Sequence, residues 1–191
     1  MPPFADPDLS HVVEPRLQRF ADYWRDKRRD LPIPRRADID PVDFPWLLPN
    51  VWLVHYEAAC DRFRYRLAGE QIKEVHPGIV AGQYMDEFMS PAVFEAVNQH
   101  YRQIMGQTTA SPLIMHMRGF IYQRHNIGLT AVGERLILPL LDGDDRPTII
   151  FGATIYSYDH KVAATLDSDQ TVTLTPIDYP PLQPVSATPA K

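Results

Sequence analysis

At 191 residues, with 45% hydrophobic and 23% charged side chains, the chain is large enough for one well-cored domain with extensions, or two very small ones. A net charge of −5 argues against general nucleic-acid binding, and a single cysteine excludes an internal disulfide or a cysteine-rich zinc site. No apolar run approaches the roughly 20 residues that cross a bilayer, and the opening MPPFADPDLS lacks the basic start and apolar core of a secretion signal, so the expectation is a cytoplasmic protein.

Val13, Leu17, Phe20 and Trp24 recur at helical spacing, with Pro15 suited to a first helical position, so an amphipathic helix is predicted from about Pro15 to Arg29. Eight basic residues against three acidic ones between Arg16 and Arg36 read as a solvated helix face, with a partner-docking surface as the alternative. The apolar stripe must cover something. It packs on its own sheet, on a second copy, or partly on each, and the expectation is a homodimer through this helix. Asp40-Pro41 and Asp43 signal a short helix near 41 to 48, stopped by Pro49.

Residues 51 to 75 hold the central pattern. Val51 to Glu57 reads as a buried strand, and Ala58 to Asp61 as a hairpin connection. Phe63, Tyr65 and Leu67 alternate with Arg62, Arg64 and Arg66, which predicts a strand apolar on one face and wet on the other. Glu70 to Val75 starts a helix. Ser90-Pro91 caps a longer one, with Phe94, Val97, Tyr101, Ile104 and Met105 on one stripe and Gly106 at its end. Leu113 to Met117 reads as a strand, whereas three glycines leave 118 to 133 ambiguous. Arg135 to Leu141 and Thr148 to Tyr156 form a hairpin across Asp142 to Pro147. Thr171 to Leu174 suits an edge strand, and the proline-rich tail from Pro176 suits an extended or disordered segment. Two hairpins separated by helices predict an α+β fold, an antiparallel sheet with helices on one face.

Three stretches also resemble a known family: the Trp24 helix running into PRRADIDP (34 to 41) and LLP (47 to 49), RFRYRLAGEQI (62 to 72), and ERLILPLLDGDD (134 to 145) leading to IIFGA (149 to 153). In order and spacing they are similar to a group of short bacterial single-domain PAS proteins. The resemblance implies a PAS-like five-stranded antiparallel sheet with a cavity between sheet and helices, a sensory or adaptor role rather than catalysis, and frequent dimerisation through the helix before the first strand. It names no cofactor. The division it suggests is 1–49 as N-terminal helix and linker, 50–158 as the PAS-like domain and 159–191 as a C-terminal extension.

Single residues carry little chemistry. Cys60 sits in a predicted turn beside Asp61 and reads as a tolerated turn residue. His100, on the longer helix, is where a PAS fold could ligate haem, but a lone histidine there is more simply a helix-surface or partly buried residue. No two histidines have metal-site spacing, and Asp142, Asp144 and Asp145 lack the glutamate that would complete a calcium loop. The aromatic lining is the stronger signal. Tyr65, Leu67, Ile72, Tyr84, Phe88, Phe94, Val97 and Tyr101 are expected to converge with Leu136, Leu138, Ile149 and Phe151, and His116 joins Leu138 and Phe151 among the candidate ligand-binding residues. Plain core packing and a pocket for a small apolar or aromatic ligand explain these positions equally, though buried tyrosine hydroxyls need partners. The leading expectation is a stand-alone sensory module that binds a small ligand, a signalling protein, or both. The alternatives are a small cavity enzyme using Tyr84, His100 or His116, and a nucleic-acid binder using the basic helix.

Overall fold

The structure, a computed structural model, describes residues 4–76, 78–124, 129–158 and 170–180. Three helices, α1 (Pro15–Arg28), α2 (Glu70–Val75) and α3 (Pro91–Ile104), accompany six strands: β1 (Val51–Glu57), β2 (Arg62–Ala68), β3 (Leu113–Arg124), β4 (Leu129–Leu140), β5 (Ile149–Ser157) and β6 (Thr171–Pro176). Every pairing is antiparallel, in the order β2-β1-β5-β4-β3-β6. The α+β class and antiparallel sheet are as expected. The sixth strand comes from Thr171–Pro176, which pairs with β3 at the sheet's edge. The segment 118 to 133 falls within the long β3–β4 ladder, except for 125–128, which lie outside the described residues, as does most of the tail, from 181 onward.

Local chemistry sets the helix ends. Pro15 occupies the first turn of α1, the Glu14 carboxylate accepts the Arg16 N–H, and Arg25, Lys27 and Arg28 crowd the last turn, where the helix dipole favours cations. The signal at Asp40 is real, since its carboxylate accepts the Val42 N–H. Yet no helix fills 41 to 48. Three single 3-10 turns stand at Arg36–Asp38, Pro41–Asp43 and Leu48–Asn50, because Pro45 and Pro49 remove the donors and φ freedom that continuation needs. This proline-rich strap is packed rather than loose: Ile33, Ile39, Phe44 and Leu47 are all buried.

The sheet has a hydrophobic core on each face. On one side α1 and the strap bring Leu17, Phe20, Trp24, Phe44 and Leu47 against Leu53, Leu136, Leu138, Leu140, Ile149 and Phe151. The Trp24 indole N–H donates to the Pro139 carbonyl at 2.8 Å, and Phe20 meets Phe151 edge-on at 4.7 Å. On the other side α2 and α3 cover Trp52, Val54, Phe63, Tyr65, Met115, Met117, Ile137 and Ile150. Thus α2 and α3 cover one face of the sheet, and the N-terminal helix α1 covers the other. Leu17, Phe20 and Trp24 are fully buried in their own chain, so the stripe on which a helix-to-helix homodimer was expected covers the chain's own sheet, leaving Val13 exposed at its end.

Candidate functional site

A cavity of about 540 Å³ lies between α3 and the sheet. Its origin is the way α3 sits. Tyr101, Ile104 and Met105 sink the C-terminal end of the helix into the core, while Phe94 and Val97 are only half covered and Ala92, Val93 and Ala96 stay exposed. The N-terminal half of α3 thus stands off the sheet, and the gap beneath it is the cavity.

The strands supply the floor by alternation. On β4 the odd-numbered Arg135 and Ile137 face the cavity, and on β1 Trp52 does so. Trp52 opposes Gly152 in the β1–β5 register, and a Cβ at Gly152 would fall 2.1 Å from the indole Cζ2. The bare glycine is what lets the indole lie flat across β5. The indole N–H donates to the Tyr101 hydroxyl at 3.0 Å. Burial pushes the Tyr101 phenol up to about 12 and holds Tyr65 well above the usual phenol value, so both are neutral hydroxyls. Tyr122 closes one side, with His76 edge-on at 4.9 Å.

One charge stands among these rings. The Arg135 guanidinium lies 4.8 Å from the Tyr122 ring centroid and 5.4 Å from that of Trp52, and its Nε donates to Thr154 Oγ1 at 3.0 Å. Among the described residues it meets no carboxylate, and no aspartate or glutamate lines the cavity. Burial first, and Arg135 second, hold His76 down at about 4 and His100 below the ordinary histidine value, so neither competes as a cation near neutral pH.

Of the expected lining residues, the structure brings Tyr65, Ile72, Val97 and Tyr101 to the cavity. Phe88 and Phe94 pack at its margin, Phe88 against Tyr65 at 5.7 Å. The others lie elsewhere. Leu138 and Phe151, with Leu136 and Ile149, belong to the core beneath α1, because β4 and β5 are buried on both faces and apolar in both parities. Leu67 is turned away by a bulge. Tyr65 opposes Val54 but Leu67 opposes Leu53, so Arg66 is the extra residue, and Leu67 flips to the opposite face, where it is 40% exposed.

Tyr84 sits on the sheet's outer edge, where its ring takes the Arg62 and Arg64 guanidiniums and its hydroxyl donates to Glu57 at 2.8 Å. His116 is buried under α1, its Nε2 2.9 Å from Glu134 Oε1, and that carboxylate also accepts the Val13 and Glu14 N–H groups. Tyr84, His100 and His116 thus occupy three separate places and form no acid–base constellation. Cys60 is exposed in the β1–β2 turn. Asp142 caps its own turn, accepting from the Asp144 and Arg146 N–H groups and the Thr148 hydroxyl. Sequence reasoning missed Trp52, His76, Tyr122 and above all Arg135. The available signal was a lone arginine at the head of the apolar run LILPLL, in a strand with no wet face to receive it.

An antiparallel sheet with helices over it and a cavity between them is the arrangement the sequence resemblance implied. A family model described as PAS domain matches residues 12–155. The chain belongs to the PAS-domain family. None of the curated proteins matches it. The matched residues begin before α1 and run through the proline-rich strap into β5. Membership makes this a sensory or regulatory module in general terms, and among the described residues no helix is long and apolar enough to cross a membrane.

Proposed function

We propose that this PAS domain binds a small molecule in the cavity between α3 and the sheet, and that occupancy sets the position of α3. The observation that carries this reading is the cavity of about 540 Å³ walled by Trp52, Tyr65, Tyr101 and Tyr122, in the size range and with the aromatic character of ligand sites. A merely imperfect core would not explain it, since interiors pack with few voids larger than a water molecule. The half-seated helix supports the second part. A ligand touching Val97 and the sheet together adds contacts that the N-terminal half of α3 otherwise lacks, and so favours a docked helix over a loose one.

Native mass spectrometry of the gently purified protein, followed by thermal-shift screening of small molecules, tests the reading. The Val97→Trp variant supplies the control, because an indole there fills the space under α3. Ligand-induced stabilisation should be present in the wild-type protein and absent in this variant. Equal stabilisation of both would place binding elsewhere and overturn the proposal.

A further inference from the structure

We propose that the ligand is an organic monocarboxylate with a largely apolar body, its carboxylate held by the Arg135 guanidinium and its body lying among Trp52, Tyr101 and Tyr122. The inference rests on the cavity reading above and deepens it.

Arg135 carries it. A guanidinium has five N–H donors in a planar fork. Here Nε is used on Thr154, and the terminal nitrogens make no hydrogen bond among the described residues. Arg135 is half-buried, and withdrawing a cation from water without a counter-charge is costly. The three arginines of β2 each find a carboxylate: Arg62 reaches Asp86 and Glu87, while Arg64 and Arg66 reach Glu57. Arg135 instead lines the open cavity, with the Tyr122 and Trp52 rings beside its guanidinium. Thr154 and the rings together hold the fork before any ligand arrives, and a pre-set fork matches the two oxygens of a carboxylate.

The remaining lining sets the rest of the ligand. With His76 and His100 neutral, Arg135 is the one formal charge lining the cavity among the described residues, so a single negative charge is matched and a second is not. Ile137, Met117 and Val97 beside the rings offer contacts to hydrocarbon or aryl groups and no further strong donors.

Isothermal titration of the full chain with benzoate, phenylacetate and hexanoate, each beside its neutral amide and with phthalate as a dianion, tests this. At least one monoacid should bind roughly 10- to 100-fold more tightly than its amide, the range expected for a charge-assisted pair. It should also outbind phthalate. Arg135→Gln should abolish the preference for acid over amide, and Arg135→Lys should restore only part of it. If the amides bind as tightly as the acids, and Val97→Trp removes both, the carboxylate assignment is overturned while the cavity reading stands. If acids bind but do so equally well to Val97→Trp, both fall. If no acid in the series binds, the proposal as stated is wrong. The comparison of acid with amide in the wild-type protein needs no variant, so a misfolding Arg135→Gln protein would not rescue it.

Discussion

Gly152 and Trp52 show how one residue's shape is set by what its neighbour lacks. The indole occupies the space where a side chain at 152 would begin, so Gly152→Ala must push Trp52 off the cavity floor and away from the Tyr101 hydroxyl. The expected cost is about 1–3 kcal/mol, the range for overpacking, read as a lower denaturation midpoint with a changed tryptophan fluorescence; an unaltered spectrum would show that the indole has room to spare. Tyr65 and Arg64 make a second comparison. Tyr65 is buried against Phe88, so Tyr65→Ala should cost about 2–4 kcal/mol. Arg64 pairs with Glu57 and Tyr84 on a wet edge, and Arg64→Ala should cost less than about 1 kcal/mol. Equal losses in a urea melt of the two would contradict the alternation along β2.

At the scale of elements, α1 is the decisive case. Its apolar stripe was legible in the spacing of Leu17, Phe20 and Trp24, but spacing cannot say what a stripe covers. The structure seats it on the face opposite the cavity, with Trp24 bonded to Pro139. Removing residues 1 to 30 should therefore unfold or aggregate the protein by uncovering Leu136, Leu138 and Phe151, and not leave a folded monomer. Circular dichroism and light scattering of the truncated chain decide between these outcomes. The same limit explains the misplaced lining. Along β2, with one wet face, alternation placed Phe63 and Tyr65 correctly and failed at Leu67 because a bulge is a matter of pairing register, absent from any single strand. Along β4 and β5 both faces are apolar, so hydrophobicity carried no phase and Leu138 and Phe151 were sent to the wrong core. The hairpin across 142 to 147 was readable, since Asp142 supplies its own turn bonds. The cavity depends on how far α3 stands from the sheet, a distance no local pattern encodes.

Across the whole molecule, pH should act through groups held out of their ordinary protonation range. Burial lowers the histidine values of His11, His55, His76 and His100. A folded value below the unfolded 6.5 means that the unfolded chain takes up protons first, so stability is full above about pH 6.5 and falls as the pH drops toward the folded values. For His76, at about 4 and faced by Arg135 and Tyr122, the shift corresponds to roughly 2–3 kcal/mol after allowance for partial solvent contact. Glu134 adds a second, more acidic step. Burial alone would raise its carboxyl, but the His116 bond and the Val13 and Glu14 N–H groups hold it below 4.5, so its contribution is complete above pH 4.5 and lost as the pH falls through its folded value. Melting temperature should decline from pH 7 to pH 4, and His76→Gln should flatten the upper part of that decline; a profile level to pH 5 would contradict it. Glu134 has one more property. It is the residue immediately before Arg135, and the two project from a single backbone step into opposite cores. The partition between the cavity and the start of α1 is thus one peptide thick. A pull on the guanidinium on one side is therefore expected to reach the anchor of Val13 and Glu14 on the other, through the wall itself. Hydrogen exchange at those two amides should change when the cavity fills, although they lie on the far side of the sheet, and unchanged exchange would show the wall to be opaque.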